Sequence, residues 1–130
     1  MKPFHVMSIL LVVPLASAQT GQLVRTPVPD PRPLMRAAID APSGQAHGVL
    51  AGDTADAIMR KFQSKTPIFI DVTTEKRYAQ EGCSRLNVLF WQDGVLLPGA
   101  TTPRKQTIAF GIDYCRDGQP PRSLSAKKQG

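Results

Sequence analysis

Three stretches of the chain alternate apolar and polar residues with the period of a β-strand. Ile68, Ile70 and Val72 share one face of residues 68–74, and Leu86, Val88 and Phe90 share one face of residues 85–92. Ile108, Phe110, Ile112 and Tyr114 do the same over residues 106–115. A fourth stretch has helical spacing: Ala55, Ile58, Met59 and Phe62 follow Gly52 at i, i+3, i+4, i+7. Asp53 or Thr54 can cap the free amides there. Asp56 lies in the first turn, Arg60, Lys61 and Lys65 gather toward the other end where cations suit the helix dipole, and Pro67 closes the segment. The order α-β-β-β predicts an α+β fold in which this one helix packs on a small antiparallel sheet of three strands.

The second and third strands also carry the two cysteines. With Cys83 opposite Cys115, Leu86 meets Ile112, Val88 meets Phe110 and Phe90 meets Ile108, so each apolar residue finds an apolar partner across a hairpin bent at Pro98-Gly99. Both cysteines then lie on the opposite face, close enough to join. A redox pair or metal ligands would be the alternatives, but cysteines this far apart with no C-x-x-C suit neither. Asp93-Gly94 is a hairpin signal in its own right, and a turn there would make residues 95–97 a short fourth strand.

The first residues change the compartment. Lys2, an apolar run from Val6 to Leu15 and Ala16-Ser17-Ala18 form a secretory signal peptide over residues 1–18. About ten apolar residues are too few for a membrane span, which needs roughly twenty. Export to the periplasm or beyond permits a Cys83–Cys115 disulfide. Residues 19–47, with Pro27, Pro29, Pro31 and Pro33 in strict alternation, read as a stiff proline-rich linker, in which Leu34, Met35, Ala37, Ala38 and Ile39 could form one helical turn or a docking segment. Residues 48–121 form the folded domain, and the basic, polar tail 122–130 reads as disordered. The net charge of +6 points, after export, to anionic polymers, lipid head groups or acidic protein surfaces.

Candidate chemistry is sparse. His47, in the Gly-rich approach to the helix, is the one histidine beyond the signal peptide and reads as a loop residue. No serine or cysteine nucleophile has a suitable setting, and Asp71, Glu81 and Asp113 are ordinary surface carboxylates. The pattern predicts no enzyme, no cofactor and no metal site, and no direct contact with nucleic acid or with a small-molecule substrate. Phe69, Leu89 and Trp91, however, occupy odd-numbered strand positions, on the face that a single helix cannot cover. Either the linker or the 94–104 loop folds over them, or they bind a partner, with Arg60, Lys61 and Lys65 as a nearby basic patch.

The segments Gln80-Glu81-Gly82-Cys83-Ser84-Arg85-Leu86 and Tyr114-Cys115-Arg116-Asp117-Gly118-Gln119-Pro120-Pro121 resemble those of small exported proteins found with conjugative-transfer and type IV secretion components in Gram-negative bacteria. The resemblance spans roughly residues 48–121 and implies a periplasmic accessory protein that binds another envelope or secretion-apparatus protein. It carries no catalytic residues over. No cysteine follows the cleavage site, so the lipid anchor of the lipoproteins in such machines is missing. A second expectation from the residues is an inhibitor or immunity-type protein that inserts the loop Thr101–Lys105 into a periplasmic enzyme.

Overall fold

A computed structural model describes residues 23–128, together with Pro3 and Val12; the expected signal peptide lies otherwise outside the described residues. Seven elements follow in order: β1 (Thr26–Val28), α1 (Arg32–Asp40), β2 (Gln45–Leu50), α2 (Asp53–Lys61), β3 (Ile68–Arg77), β4 (Cys83–Val95) and β5 (Arg104–Cys115). The strands form one five-stranded sheet in the order β1-β2-β3-β4-β5. β1 runs parallel to β2, and all other neighbours are antiparallel. The fold is α+β, with five strands where three or four were expected and two helices where one was expected.

The additional elements come from the residues read as a linker. Pro27 lies in edge strand β1, where a missing N–H need not interrupt a ladder. Pro31 and Pro33 sit at the start of α1, where the first amides have no helical acceptor in any case, and the Asp30 carboxylate accepts the amide of Arg32 at 2.9 Å. The proline alternation therefore marks a strand, a turn and a helix start. It does not form a polyproline spacer.

That helix is the one that covers the sheet. Leu34, Met35, Ala38 and Ile39 of α1 are buried, and they form one cluster with Ala46 and Leu50 of β2, Ile70 and Val72 of β3 and Leu86 and Val88 of β4. The even-numbered faces of β3 and β4 supply the core as their alternation predicts, but on that face of β5 only Tyr114 is buried, with Ile112 packed against the core and Ile108 and Phe110 left exposed. The expected cover, α2, buries only Ala55 outright. Its Ile58 packs against the core cluster and, with Phe62, lines a cleft beside Ile68 and Phe90. The N-cap is Gly52, with φ +89° and no side-chain cap from Asp53 or Thr54. Arg77 closes the other end of α1 by donating to the carbonyls of Ile39 at 3.1 Å and Ala41 at 2.9 Å.

Packing between α1 and β2 leaves no room at Gly48. A Cβ there would stand 2.6 Å from Leu34 Cδ1 and 2.8 Å from the carbonyl oxygen of Thr26. One of these is backbone of the paired strand and cannot swing aside, so Gly48→Ala should force β1 and α1 off the sheet at a cost of about 2 kcal/mol. Thermal unfolding of this variant checks the expectation, and an unchanged midpoint would contradict it.

The hairpin follows the alternation residue by residue. Cys83 opposes Cys115, Leu86 opposes Ile112, Val88 opposes Phe110 and Phe90 opposes Ile108. The two cysteines are joined as a disulfide, buried beside Tyr78. Asp93-Gly94 does not turn the chain: it forms a register shift within β4 between Gln92 and Val95, with Gly94 at φ +65°, so no separate strand follows. The turn lies at Leu97–Ala100, closed by the Ala100 amide on the Leu97 carbonyl. The tail does not run free after Pro121. Ala126 bridges to Tyr78, and the Lys127 amide donates to the Arg77 carbonyl at 2.9 Å.

Candidate functional site on the open sheet face

With α1 on the even face, the odd-numbered residues of four strands form the other face, over which no described helix packs. Register places them in rows: Val49, Phe69, Trp91 and Thr107 in one, His47, Asp71, Leu89 and Ala109 in the next. Phe69, Leu89 and Trp91 are thus brought together as expected, each partly exposed. The rings of Phe69 and Trp91 meet at 4.5 Å between centroids with a 52° tilt, a geometry that suits their quadrupoles.

Asp71 stands at the centre of this face. Its Oδ1 accepts from Arg25 Nη1 at 2.8 Å and from His47 Nδ1 at 2.7 Å, and its Oδ2 accepts from Trp91 Nε1 at 2.8 Å. An ionised carboxylate only accepts, so the imidazole holds its proton on Nδ1 and presents Nε2 away from Asp71. Burial by itself would raise the Asp71 carboxyl, but the hydrogen bonds from Arg25, His47 and Trp91 and the Arg25 charge outweigh it and hold the group below the ordinary carboxylate range. Arg25 is fixed in turn: it also donates to the Gly48 carbonyl at 3.0 Å, and its guanidinium lies 4.2 Å from the centroid of Phe69. Asp71 is therefore a structural acceptor with each oxygen engaged. His47 is a strand residue of β2 that faces this cluster, and the loop assignment is corrected.

The basic residues beside the rings differ from those expected. Arg60, Lys61 and Lys65 are exposed on and after α2, and Lys61 Nζ approaches Phe62 at 5.7 Å. Among the described residues none of the three lies over the Phe69 or Trp91 ring. The neighbouring cations are Arg25 and Lys105, whose Nζ lies 4.5 Å from the Trp91 ring centroid. A shallow depression of about 500 Å³ opens here, lined by Leu23, Arg25, Phe69 and Trp91. Neither cation was legible, because each is brought in by an element whose position depends on sheet order: Arg25 by β1, which the proline pattern concealed, and Lys105 by the start of β5.

Farther along the same face, Arg85 spans Gly111, where a Cβ would meet its Nη2 at 2.5 Å, and pairs with Asp113 at 3.2 Å. Asp113 also accepts from the Tyr78 hydroxyl, and that bond leads the causes that lower its carboxyl while raising the phenol. Asp71 and Asp113 are thus each tied to their own donors. Among the described residues, no three histidine, cysteine or carboxylate side chains gather as a metal site would require. No described helix is long and apolar enough to cross a membrane. No known protein family, curated protein or solved structure matches this chain.

Proposed function

We propose that the protein is an exported accessory domain that binds another envelope protein, with the open sheet face as its docking surface. The observation that carries this reading is the treatment of the two faces: Ile70 and Val88 are sealed under α1, whereas Phe69, Leu89 and Trp91 are left partly exposed with Arg25 and Lys105 beside them. Aromatic anchors bordered by cations suit a partner that offers apolar side chains within an acidic rim. The Asp71 cluster holds Trp91 in place before any partner arrives, which lowers the ordering cost of association. The Cys83–Cys115 disulfide fits an oxidising compartment, and the periplasm is the setting we assign. A conjugative or type IV secretion apparatus is the context suggested by the resemblance of the segments around the two cysteines.

The test is affinity capture from an envelope fraction of the native host. Wild type should retain a defined partner, and Trp91→Ala together with Lys105→Glu should lose it while still folding cooperatively, at a lower thermal midpoint because Asp71 loses one donor and Phe69 its neighbouring ring. Capture of the same partner by the double variant, or of none by wild type, would overturn the reading. Inhibition through Thr101–Lys105 is less well supported, because Arg104 and Lys105 belong to β5 and Lys105 is turned onto Trp91.

A further inference from the structure

The outer edge of the sheet at β5 is a separate surface. Among the described residues β5 pairs only with β4, so one side of its backbone has no strand beside it there. Sheet edges are normally blunted by proline, by a bulge or by a covering segment. β1, the other edge, is three residues long and contains Pro27. β5 has no proline, and its register with β4 is unbroken from Gln106 to Cys115. Beside this edge, Ile108 is 69% exposed and Phe110 is 40% exposed, although their strand partners Phe90 and Val88 pack in or against the core. Ile108 borders an apolar cleft of about 270 Å³ that runs to Ile58 and Phe62 of α2, and the Phe110 ring lies 6.2 Å from that of Phe90, which also lines it.

Which backbone groups are free follows from the disulfide end. The Cys115 amide donates away from β4, to the Gln119 carbonyl at 3.1 Å, and the Cys83 carbonyl accepts from Tyr78. Cys83 and Cys115 are therefore a non-hydrogen-bonded pair, and by the two-residue period the odd-numbered residues of β5 turn their N–H and C=O outward. The turn that places Gln119 on Cys115 closes the edge at that end, leaving the open positions between Lys105 and Asp113.

We propose that β5 pairs antiparallel with β5 of a second copy, about a two-fold axis at Ala109, to form a continuous ten-stranded sheet. The open edge is symmetric about that residue. In this register Ala109 faces Ala109 of the partner, and Thr107 faces the partner's Gly111, each pair with its hydrogen-bonding groups directed across the junction. Ile108 meets Phe110 of the partner subunit, so the exposed apolar residues of both copies cover one another. Lys105 comes opposite Asp113 of the partner subunit, so that the basic start of one strand lies beside the Asp113–Arg85 pair at the end of the other and like charges are not opposed at these positions. Self-complementarity of this kind is what an isologous interface requires. A foreign strand would need none of it.

Sedimentation of the purified mature protein at micromolar concentration tests the pairing. Wild type should sediment as a dimer. Ala109→Pro removes the outward amide at the axis without touching the β4 ladder, and should sediment as a monomer with an unchanged near-ultraviolet spectrum. Should that variant fail to fold, Ala109→Lys sets like charges opposite one another from an exposed position and should also be monomeric. Trp91→Ala, on the docking face, should remain a dimer, so loss of partner capture and loss of pairing are separable. A monomeric wild type, a dimer that survives both Ala109 substitutions, or a dimer lost on Trp91→Ala alone would overturn the proposal.

Discussion

Replacing Cys83 and Cys115 together with serine should lower stability by about 3 kcal/mol, the loop-closure entropy returned to the unfolded chain when a cross-link over 32 positions is removed. For a chain of this size, a native margin of about 5–10 kcal/mol makes that a large fraction. The loss should appear in one place first. The disulfide ties the far ends of β4 and β5, and Tyr78 packs against it while its amide donates to the Cys83 carbonyl. The tail is held through the same corner, by Ala126 on Tyr78 and Lys127 on Arg77. Hydrogen exchange should therefore rise earliest at residues 78–83 and 115–127 in the double variant. Reductant should reproduce the effect in wild type, because the described residues include no free cysteine. Equal thermal midpoints with and without reductant would show that the cross-link contributes nothing.

The hairpin was legible because both of its signals are local and agree. Alternation fixes which side chains share a face, and two cysteines at matching positions fix the register, so the pairs Leu86–Ile112 and Val88–Phe110 could be written down from the residues. The other half of the sheet gave weaker signals. β2 turns Ala46, Gly48 and Leu50 inward, and two of these are too small to register as an apolar stripe. They are small because α1 comes so close, as the space at Gly48 shows. α1 itself has a clear apolar face in Leu34, Met35, Ala38 and Ile39, but four alternating prolines before and at its start suggested an extended chain. Proline at the beginning of a helix and proline in a spacer look alike until the edge strand is recognised. With the α1 residues read as at most one helical turn or a docking segment, α2 was the candidate to cover the sheet, although it adds only Ala55 to the buried core, with Ile58 packed against it.

The docking residues divide along the same line. Phe69, Leu89 and Trp91 were identifiable because parity along a strand is a local property. Asp71 was visible as a carboxylate on the same face, but its role was not, since its donors Arg25, His47 and Trp91 lie 46, 24 and 20 positions away. Sheet order alone brings them together. A polar cluster of this kind is costly if incomplete and rigid if complete, and here the carboxylate is completed by three side chains from three parts of the chain.

Removing the carboxylate should therefore have an effect out of proportion to its size. Asp71→Ala leaves the Arg25 guanidinium without its counter-charge and the His47 and Trp91 donors without an acceptor, with Arg25 only 13% exposed at its side chain. A loss of about 3 kcal/mol is expected from stranding these groups. Asp71→Asn keeps one oxygen as acceptor but loses the charge, and should fall between the variant and wild type. The pH dependence has a definite sign. Because the folded-state value of Asp71 lies below its unfolded value, its contribution is fully present above the ordinary carboxylate range, near pH 4, and is lost as the pH falls through the lower folded value. The stability difference between wild type and Asp71→Asn should accordingly be constant from neutral pH down to about pH 5 and shrink below about pH 4. Urea denaturation of both proteins across this range, monitored by Trp91 fluorescence, measures that difference directly. A gap that persists undiminished into strong acid would mean that the Asp71 charge does not stabilise the fold and that Trp91 is held by packing on Phe69 alone.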